Sequence, residues 1–476
     1  MWVPAWETMA GGIRCLRLYE VSEIPCKSMA VFWHFFIVRV KAYRIIRSIL
    51  WDTTRCMEWN RNGTVPFFVP VIRISGWINK NLRKGEKRKV ERNMNETKVY
   101  ADSYCAVFRE QKDFLECIRS RMGNSCWDRR KSKTLRLAAL TEESPIADQL
   151  REKYAREGVD EDIIKDTISN TGLVLKVKNE YYPVRSCAIK SILDRAGIGG
   201  AGLRRVERNV YARILNECLK VAQGDALLRI SEGKVSAVLG GDGSDYAVID
   251  TEQLYLHTID YLNANFHGVH YLGGFYEHDR VSALWELSGE PALLDAYRKE
   301  LDLAGKTAEE MVPVVRVTTS DTGAGGANIY PMLLYGRENM TINLGEPLRL
   351  GHRNGTGIAE YDRQLKLLYG KYQLAAGNLI RLLHIPIQNP VNCMKGVMDK
   401  LGIARKYSAD AVDLFTAQYG EDPCTAHEIY YGISEILYRL ACEGAEGSVM
   451  TAMEEKIARA LSVSWEDFDV PGAYKW

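Results

Sequence analysis

Residues 314–350 read VVRVTTSDTGAGGANIYPMLLYGRENMTINLGEPLRL, and this stretch decides the fold class. Four short, mainly apolar runs, 314–319, 328–335, 339–344 and 347–350, are separated by segments that contain glycine. Runs of this kind predict strands that glycine turns join into antiparallel hairpins. The stretch therefore indicates an antiparallel sheet and not a series of β-α-β units.

The chain before this stretch predicts further hairpins that are interleaved with helices. Val281, Ala283, Trp285 and Leu287 share one face of a strand by strict alternation. The other predicted strands lie over 173–177 and 181–184, over 226–230 and 234–239, and over 266–276. The predicted helices lie over 106–121, 144–156, 186–195, 203–221, 251–263 and 292–303. The basic run 129–133 is predicted as a solvated loop.

The last third of the chain predicts a helical module. Apolar residues recur every three to four positions from Ile358 to Leu383, which indicates one helix over 357–384 that Pro386 ends. Further helices are predicted over 391–401, 408–419, 425–442 and 449–461. We therefore predict an α+β fold, in which antiparallel hairpins and a sheet pack with helices, followed by a C-terminal helical module. The expected domains are a leader (1–93), a charged helical segment (94–170), a mixed α+β core (171–356) and the helical module (357–476).

Charge is distributed unevenly along the chain. The 476 residues contain 63 Lys+Arg and 61 Asp+Glu, a net charge of +2. Residues 1–93 contain 17 Lys+Arg and 7 Asp+Glu, whereas residues 94–476 contain 46 and 54, which gives net charges of +10 and −8. A content of 46% hydrophobic residues excludes a mainly disordered protein. The 39 Gly and 14 Pro residues exclude a collagen-like one.

The leader is unlike the rest of the chain. It contains six of the ten Trp residues, its apolar runs keep no regular period, and it ends in the basic stretch 79–92. The codons available to residues 88–93 can spell a purine-rich ribosome-binding sequence just before Met94. We therefore expect translation to begin at Met94 and the leader to be an over-extended gene prediction. A basic nucleic-acid-binding arm and a small helical or membrane-surface domain are the alternatives.

The eleven cysteines are scattered and form no C-x-x-C pair. This pattern argues against a zinc ribbon, a thioredoxin-type site and a secreted disulfide framework, and it predicts mostly buried free thiols. No apolar run approaches the ~20 residues that a membrane span needs, the longest being 29–38. We therefore expect a cytoplasmic protein that has no membrane partner.

The glycine motif Gly197-Ile-Gly199-Gly-Ala-Gly202 matches the G-x-G-x-x-G fingerprint of dinucleotide-binding proteins. That fingerprint needs a strand before it, whereas a helix is predicted here, so a helix–helix turn is favoured. The helix that follows is expected to carry Arg204, Arg205 and Arg208 in its first turns. These three residues are candidate contacts for nucleic acid or another anion.

The histidine cluster His267, His270, His278 and Asp279 does not predict a metal site. Histidines three residues apart on a strand point to opposite faces, and no second group of ligands has suitable spacing. We expect no metal and no cofactor. The aromatic residues between 255 and 276 favour core packing over a stacking surface for single-stranded nucleic acid.

Small, polar and charged residues are concentrated in 316–353. A glycine loop that faces a histidine and two arginines is suited to phosphate or an acidic ligand. The alternative is a set of hairpin turns with solvated charges. No G-x-S-x-G or H-E-x-x-H motif is present, so the sequence predicts no catalytic residue, and we expect a non-enzymatic role. The candidate ligand-binding residues are Ser320, Asp321, Gly323, Arg349, His352 and Arg353.

Several segments between 173 and 406 resemble a phage- and plasmid-associated family, domain of unknown function 932. They are ALLRISEGKVSAVL (226–239), YAVI (246–249) with the helix from Thr251, the turn around 320–323, LRLGH (348–352) and IPIQNPVNCMKGVMDKL (385–401). Thr319 departs from the Asn expected before the Ser. The resemblance implies a mobile-element setting without an assigned activity, and it offers no catalytic residues to transfer.

These observations leave three functional hypotheses. The first is a DNA-associated accessory protein that supports recombination or replication, with single-stranded DNA and phage or plasmid proteins as partners. The net charge of −8 over residues 94–476 opposes general affinity for duplex DNA. The second is an enzyme or binding protein for a small anionic ligand, and the third is a structural protein that binds a partner. The sequence does not predict an oligomeric state.

Overall fold

The computed structural model describes residues 2–9, 12–20, 98–241, 246–306, 310–336, 340–353 and 355–474. The chain divides into two compact units, residues 1–86 and 87–476. In the first unit, two strands pair as an antiparallel hairpin. The basic stretch 79–92, the apolar run 29–38 and Met94 lie outside the described residues.

The described strands and helices define a mixed α+β fold with antiparallel sheets, as the sequence predicted. The strands are β1 (Trp2–Met9), β2 (Gly12–Glu20), β3 (Cys105–Phe108), β4 (Ser125–Lys131), β5 (Arg136–Ala139), β6 (Leu173–Val177), β7 (Glu180–Pro183), β8 (Asp225–Ser231), β9 (Lys234–Gly240), β10 (Val269–Glu277), β11 (Val281–Leu287), β12 (Met311–Thr319), β13 (Ala327–Tyr335), β14 (Met340–Asn343), β15 (Leu348–Leu350), β16 (Pro386–Ile387) and β17 (Cys424–Thr425). The helices are α1 (Gln111–Gly123), α2 (Pro145–Glu157), α3 (Asp162–Asn170), α4 (Ala188–Ala196), α5 (Arg208–Val221), α6 (Thr251–Asn265), α7 (Asp295–Leu303), α8 (Ile358–Leu365), α9 (Leu368–Leu383), α10 (Pro390–Lys400), α11 (Arg405–Tyr419), α12 (Ala426–Cys442) and α13 (Gly447–Ala458).

Residues 124–241 have their own hydrophobic core and form what we call the small lobe. Its two three-stranded sheets, β5-β6-β7 and β4-β8-β9, are connected by a parallel bridge between Val184 and Val235. Helices α4 and α5 pack on the sheets, and Leu215 of α5 is fully buried there. Helices α2 and α3 pack around Val174 of β6. Both faces of β6 are therefore covered along most of the strand.

Residues 246–474, together with β3 and α1, form the large lobe around a seven-stranded antiparallel sheet. The strand order is β14-β13-β12-β11-β10-β3, and β15 also pairs with β13. Trp285 of β11 lies opposite Val315 of β12 and is 1% exposed. Gly326 lies just before β13, where a Cβ atom would overlap the carbonyl oxygen of Leu350. Glycine at this position lets the chain pass close to the end of β15.

The C-terminal helices share one core with this sheet. Ile342 of β14, Tyr361 of α8, Leu379 of α9 and Ile433 of α12 are all buried and belong to the same cluster. The Tyr372 hydroxyl of α9 contacts main-chain oxygens of β12 and β13, which ties the helix to the centre of the sheet. The hydrophobic core is therefore continuous across residue 356, where the sequence analysis placed a domain boundary.

Two predicted elements of the first 200 residues are wrong in type. The predicted helix over 106–121 begins only at Gln111, because Ala106 and Val107 pair with Tyr276 and Phe275 in the large sheet. The predicted basic loop at 129–133 is largely strand β4, which pairs with β8. Charged residues at the edge of a sheet keep their side chains in solvent, so a basic run does not distinguish an edge strand from a loop.

Two predicted helices are shorter than expected. The helix over 357–384 is two helices, α8 and α9, with a break at Lys366 and Leu367. The buried residues Leu365 and Leu368 are three positions apart across the break, so the apolar period continues through it. The helix over 203–221 begins at Arg208, after a 3₁₀ turn.

Buried charges hold the segment before β3 against the small lobe. Lys234 of β9 has no exposed surface, and its ammonium donates to Asp102 at 3.1 Å and to Asp166. The Arg185 guanidinium lies 3.6 Å from Asp102. Burial by itself raises the pKa of Asp102, but Lys234 and the main-chain N–H of Ser186 outweigh it and hold that pKa below its usual value. The carboxylate therefore stays ionised between its two cations.

No helix within the described ranges is long and apolar enough to cross a membrane. The eight cysteines from Cys105 to Cys442 carry free thiols. Of these, Cys393 is buried and Cys126 is exposed, so burial is less general than the sequence analysis expected.

Truncating Leu379 tests the packing of α9 against the sheet. Leu379→Ala removes a side chain that is 0% exposed, and we expect the free energy of unfolding to fall by about 2–5 kcal/mol. Leu374→Ala, in the same helix at a side chain that is 77% exposed, is the matched control, because it changes helix propensity equally. Urea denaturation measures both. Equal losses in the two variants would contradict the packing described here.

Candidate functional site

Ser320 lies at the end of β12 and is 1% exposed. Its hydroxyl oxygen accepts hydrogen bonds from the main-chain N–H groups of Thr322 and Ala324, each at 3.2 Å, and lies 3.1 Å from the Thr322 hydroxyl. The side chain of this candidate residue therefore holds the turn that follows the strand. Gly323, which has a φ of +75°, takes the left-handed conformation that the same turn requires.

Asp321 pairs with an arginine that the sequence analysis did not select. Its carboxylate accepts from Arg229 of β8 at 2.9 Å and from the Thr251 hydroxyl at 3.0 Å. Arg229 is 2% exposed, and its Nε and Nη1 groups have no partner among the described residues. Asp321 therefore neutralises a buried cation across the lobe junction. The sequence does carry a signal for this buried cation, because Arg229 is the one charged residue in the otherwise uncharged run ALLRIS (226–231).

His352 lies in the same cluster. Its ring stacks on Tyr246 with centroids 5.1 Å apart and planes 2° from parallel, and the Tyr246 hydroxyl donates to the Ser320 carbonyl oxygen at 3.2 Å. His352 Nδ1 lies 3.2 Å from the carbonyl oxygen of Ala247. Since a carbonyl only accepts, Nδ1 is the protonated nitrogen of the ring, and burial lowers the pKa of His352. The imidazole is therefore neutral.

The remaining predicted ligand residues are on the surface. Arg349 pairs with Glu346, both side chains being more than half exposed, and Arg353 is exposed. Within the described residues, no hydrogen bond links His352 to Ser320 or Asp321. The fold therefore brings Ser320, Asp321 and His352 close together around the buried Arg229, whereas Gly323 is exposed in the same turn. This arrangement has no proton relay of the serine–histidine–aspartate type.

The three arginines near residue 205 do not form the expected helix N-terminus. Arg204 and Arg205 belong to the 3₁₀ turn Ala201–Arg205, and only Arg208 is in α5. The Glu207 side chain accepts from the first N–H groups of α5, at 3.0 and 3.2 Å. A carboxylate already occupies the position that an anionic ligand takes at a helix N-terminus. The turn before it starts at Gly197, the C-cap of α4, so a helix and not a strand precedes the glycine motif.

A different basic feature crosses sheet β5-β6-β7. Arg136 of β5 lies directly opposite Lys176 of β6, and both side chains are exposed. Lys133 precedes this pair and Lys178 follows it, and both are exposed. Within the described part of the chain, none of the four cations has a carboxylate within ion-pair distance. We call Lys133, Arg136, Lys176 and Lys178 the basic surface.

The basic surface belongs to a lobe that is positively charged as a whole. Residues 124–241 contain 21 Lys+Arg and 16 Asp+Glu, a net charge of +5. Residues 242–476 contain 20 and 33, a net charge of −13. The overall value of −8 for the chain after residue 93 therefore hides a basic lobe next to an acidic one. The sequence alone does not reveal this division, because the boundaries of the small lobe are set by the tertiary structure.

A cleft of about 440 Å³ lies at the lobe junction. It is lined by residues 102–105, 185–187 and 277–279. Burial and the neighbouring Glu277 raise the pKa of Asp279. No group of three or more His, Cys, Asp or Glu side chains among the residues placed by the structure could hold a metal ion. His267 pairs instead with Glu290 at 2.9 Å.

The aromatic residues between 255 and 276 contribute mainly to the core. Tyr255, Phe266, Phe275 and Tyr276 are buried. Phe114 of α1 packs edge-on against Tyr255 with ring centroids 4.9 Å apart. Tyr255, Phe266 and Tyr276 therefore belong to the core that α1 and α6 share with the sheet.

Comparisons with known proteins give no relative for this chain. No family model matches, and neither a curated protein nor a solved structure matches. Function is therefore inferred from the geometry and charge of the molecule.

Removing the Asp321 carboxylate tests the buried pair. Asp321→Asn leaves the Arg229 charge buried without a counter-ion, and we expect the free energy of unfolding to fall by about 3–5 kcal/mol. Glu346→Gln, which breaks the exposed pair with Arg349, should have little effect. Urea unfolding of both variants measures the difference. A loss from Asp321→Asn no larger than that of the control would show that the pair is not needed.

The buried His427 is expected to make the stability of the protein depend on pH. Burial, and secondly Lys306, lower the pKa of His427 to about 3, and its Nε2 lies 2.6 Å from the Tyr297 hydroxyl. The unfolded chain takes up this proton near pH 6.5, so acidification favours unfolding. Between pH 7 and pH 5 the residue should account for a loss of about 2 kcal/mol. The urea midpoint should therefore fall less between pH 7 and pH 5 in His427→Gln than in the unchanged protein. An equal fall in the two proteins would refute the assignment.

Proposed function

We propose that the protein is a DNA-associated accessory protein, and that the basic surface of the small lobe binds the phosphate backbone. The observation that carries this proposal is the direct opposition of Arg136 and Lys176 on neighbouring strands. Side chains opposite each other in an antiparallel pair have Cβ atoms about 4.5–5.5 Å apart, and like charges there destabilise the sheet. An anionic partner attracts both side chains and so offsets their mutual repulsion.

Phosphate groups suit this arrangement better than a single carboxylate does. Arg136 and Lys176 share one face of the sheet, and the exposed Lys133 and Lys178 lie close to them in the chain, so a ligand that repeats its charge contacts several cations together. A chain of phosphates meets this requirement. Arginine and lysine side chains both donate to phosphate oxygens, and they do so without reading the bases.

The distribution of net charge favours one side of the protein for a bound polyanion. The net charge is +5 on residues 124–241 and −13 on residues 242–476. A polyanion is therefore attracted to the small lobe and repelled by the large lobe. Within residues 124–476, the charge distribution therefore favours contact of nucleic acid with the small lobe. This division removes the objection that the net charge of −8 raised against binding.

The cluster around Asp321 has a structural role in this proposal. Its carboxylate is already paired with Arg229, and Arg349 and Arg353 lie on the surface. The resemblance of segments between 173 and 406 to a phage- and plasmid-associated family is the support for a mobile-element setting. Recombination or replication support is the corresponding role, with phage or plasmid proteins as further partners.

Salt-dependent binding tests the proposal. We expect the full chain to bind a fluorescein-labelled 20-nucleotide DNA strand at low salt, with log Kobs falling linearly against log salt concentration. Replacing both Arg136 and Lys176 with Ala removes two phosphate contacts and should make this slope shallower by about 1.4. Fluorescence anisotropy over a salt series gives the slope.

The matched control replaces Lys366 and Lys400 with Ala, because both are exposed lysines of the large lobe. We expect this variant to keep the affinity and the slope of the unchanged protein. The proposal fails if the full chain does not bind at low salt, or if the control variant loses as much as the variant of the basic surface.

A further inference from the structure

A tyrosine continues the row that Arg136 and Lys176 begin. Lys176 lies opposite Tyr181 of β7, just as Arg136 lies opposite Lys176. The three side chains therefore stand side by side on one face across three neighbouring strands. Strands in a sheet are about 4.8 Å apart, so the row extends over roughly 10 Å.

The Tyr181 ring is only partly covered by the protein. It packs against the cluster of α2, α3 and Val174, and it retains part of its surface in solvent. Lys176 Nζ lies 5.7 Å from the ring centroid. The Tyr181 hydroxyl has no hydrogen-bond partner among the described residues, whereas the neighbouring Tyr182 donates to Glu180 at 3.0 Å. Tyr181 therefore presents an aromatic surface whose hydroxyl is not engaged.

We propose that Tyr181 stacks on an unpaired base while Arg136 and Lys176 hold phosphates of the same strand. The surface then takes a single-stranded polynucleotide. This inference rests on the function proposed above and adds the residue through which the surface prefers a single strand to a duplex.

An aromatic ring next to two cations favours a single strand over a duplex. Aromatic rings beside a track of positive charge bind single strands, because every base offers a π face for stacking. A phosphate attracts Lys176 away from the ring, and the base takes the surface that the ammonium leaves. In a duplex the bases are paired and stacked on each other, so the same ring contacts only the backbone. The cations alone would bind both forms through their phosphates.

Variants of the two adjacent tyrosines test the inference in the full chain. Tyr181→Leu should weaken binding of the single strand roughly 5- to 150-fold, as expected for the loss of one stacked base, while duplex affinity and the salt slope stay unchanged. Tyr181→Phe keeps the ring and should bind normally. Tyr182→Leu is the matched control, because Tyr182 lies on the opposite face of the same strand and also has a lysine over its ring, Lys153 at 4.4 Å.

A second measurement uses the unchanged protein and so does not depend on how Tyr181→Leu folds. A strand of the same length whose central nucleotides are abasic carries the same phosphates without the bases. It should bind more weakly than the intact strand by about the factor seen for Tyr181→Leu. For Tyr181→Leu itself, the intact and abasic strands should be equivalent.

The outcomes separate this inference from the proposed function. If intact and abasic strands bind equally, or if Tyr181→Leu and Tyr182→Leu behave alike, stacking by Tyr181 is wrong. The basic surface then still stands, provided that replacing Arg136 and Lys176 weakens binding. If no nucleic acid binds at low salt, the proposed function itself is wrong.

Discussion

Buried cations at the lobe junction are the constraint on which the rest of the structure depends. Arg229 and Lys234 come from neighbouring strands of one hairpin, and both are almost completely removed from water. An unpaired charge in such a place costs several kcal/mol, so each must find a carboxylate. Asp321 and Asp102 supply it from segments far away in the chain. The Arg229–Asp321 pair can therefore form only when both lobes are folded and correctly placed, and it fixes the position of the small lobe. Lys234 pairs with Asp102 in the segment before β3 and with Asp166 of the small lobe itself.

The lobe junction pairs some cations of the small lobe with carboxylates and leaves others exposed. Arg229 is neutralised by Asp321 of the large lobe, whereas the cations of the basic surface have no carboxylate within ion-pair distance among the described residues. The small lobe therefore keeps a net positive surface, while the acidic residues of the large lobe remain around its helices. A protein divided in this way has one end that attracts a polyanion. The buried pairs specify the arrangement of the lobes, and the exposed cations are left for a partner.

Much of the secondary structure could be predicted from local pattern. Strand β11 was predicted with its observed bounds, because the alternation of apolar residues persists through Leu287. Helix α2 was also predicted closely, from Pro145 near its start. The failures share a physical origin. Strand β4 was read as a loop because an edge strand tolerates charge, and α8 with α9 were read as one helix because the apolar period continues through the break at Lys366.

The sequence by itself determined the class of fold and the identity of the charged residues, because periodicity and composition are local properties. It also placed Ser320, Asp321 and His352 in one region. Only the tertiary structure decided that Asp321 pairs with a buried Arg229, that Arg349 and Arg353 remain on the surface, and that two cations and a tyrosine form a row across three strands. These facts depend on strand register and on which side chains lose water, and both are set by contacts between residues that are far apart in the chain.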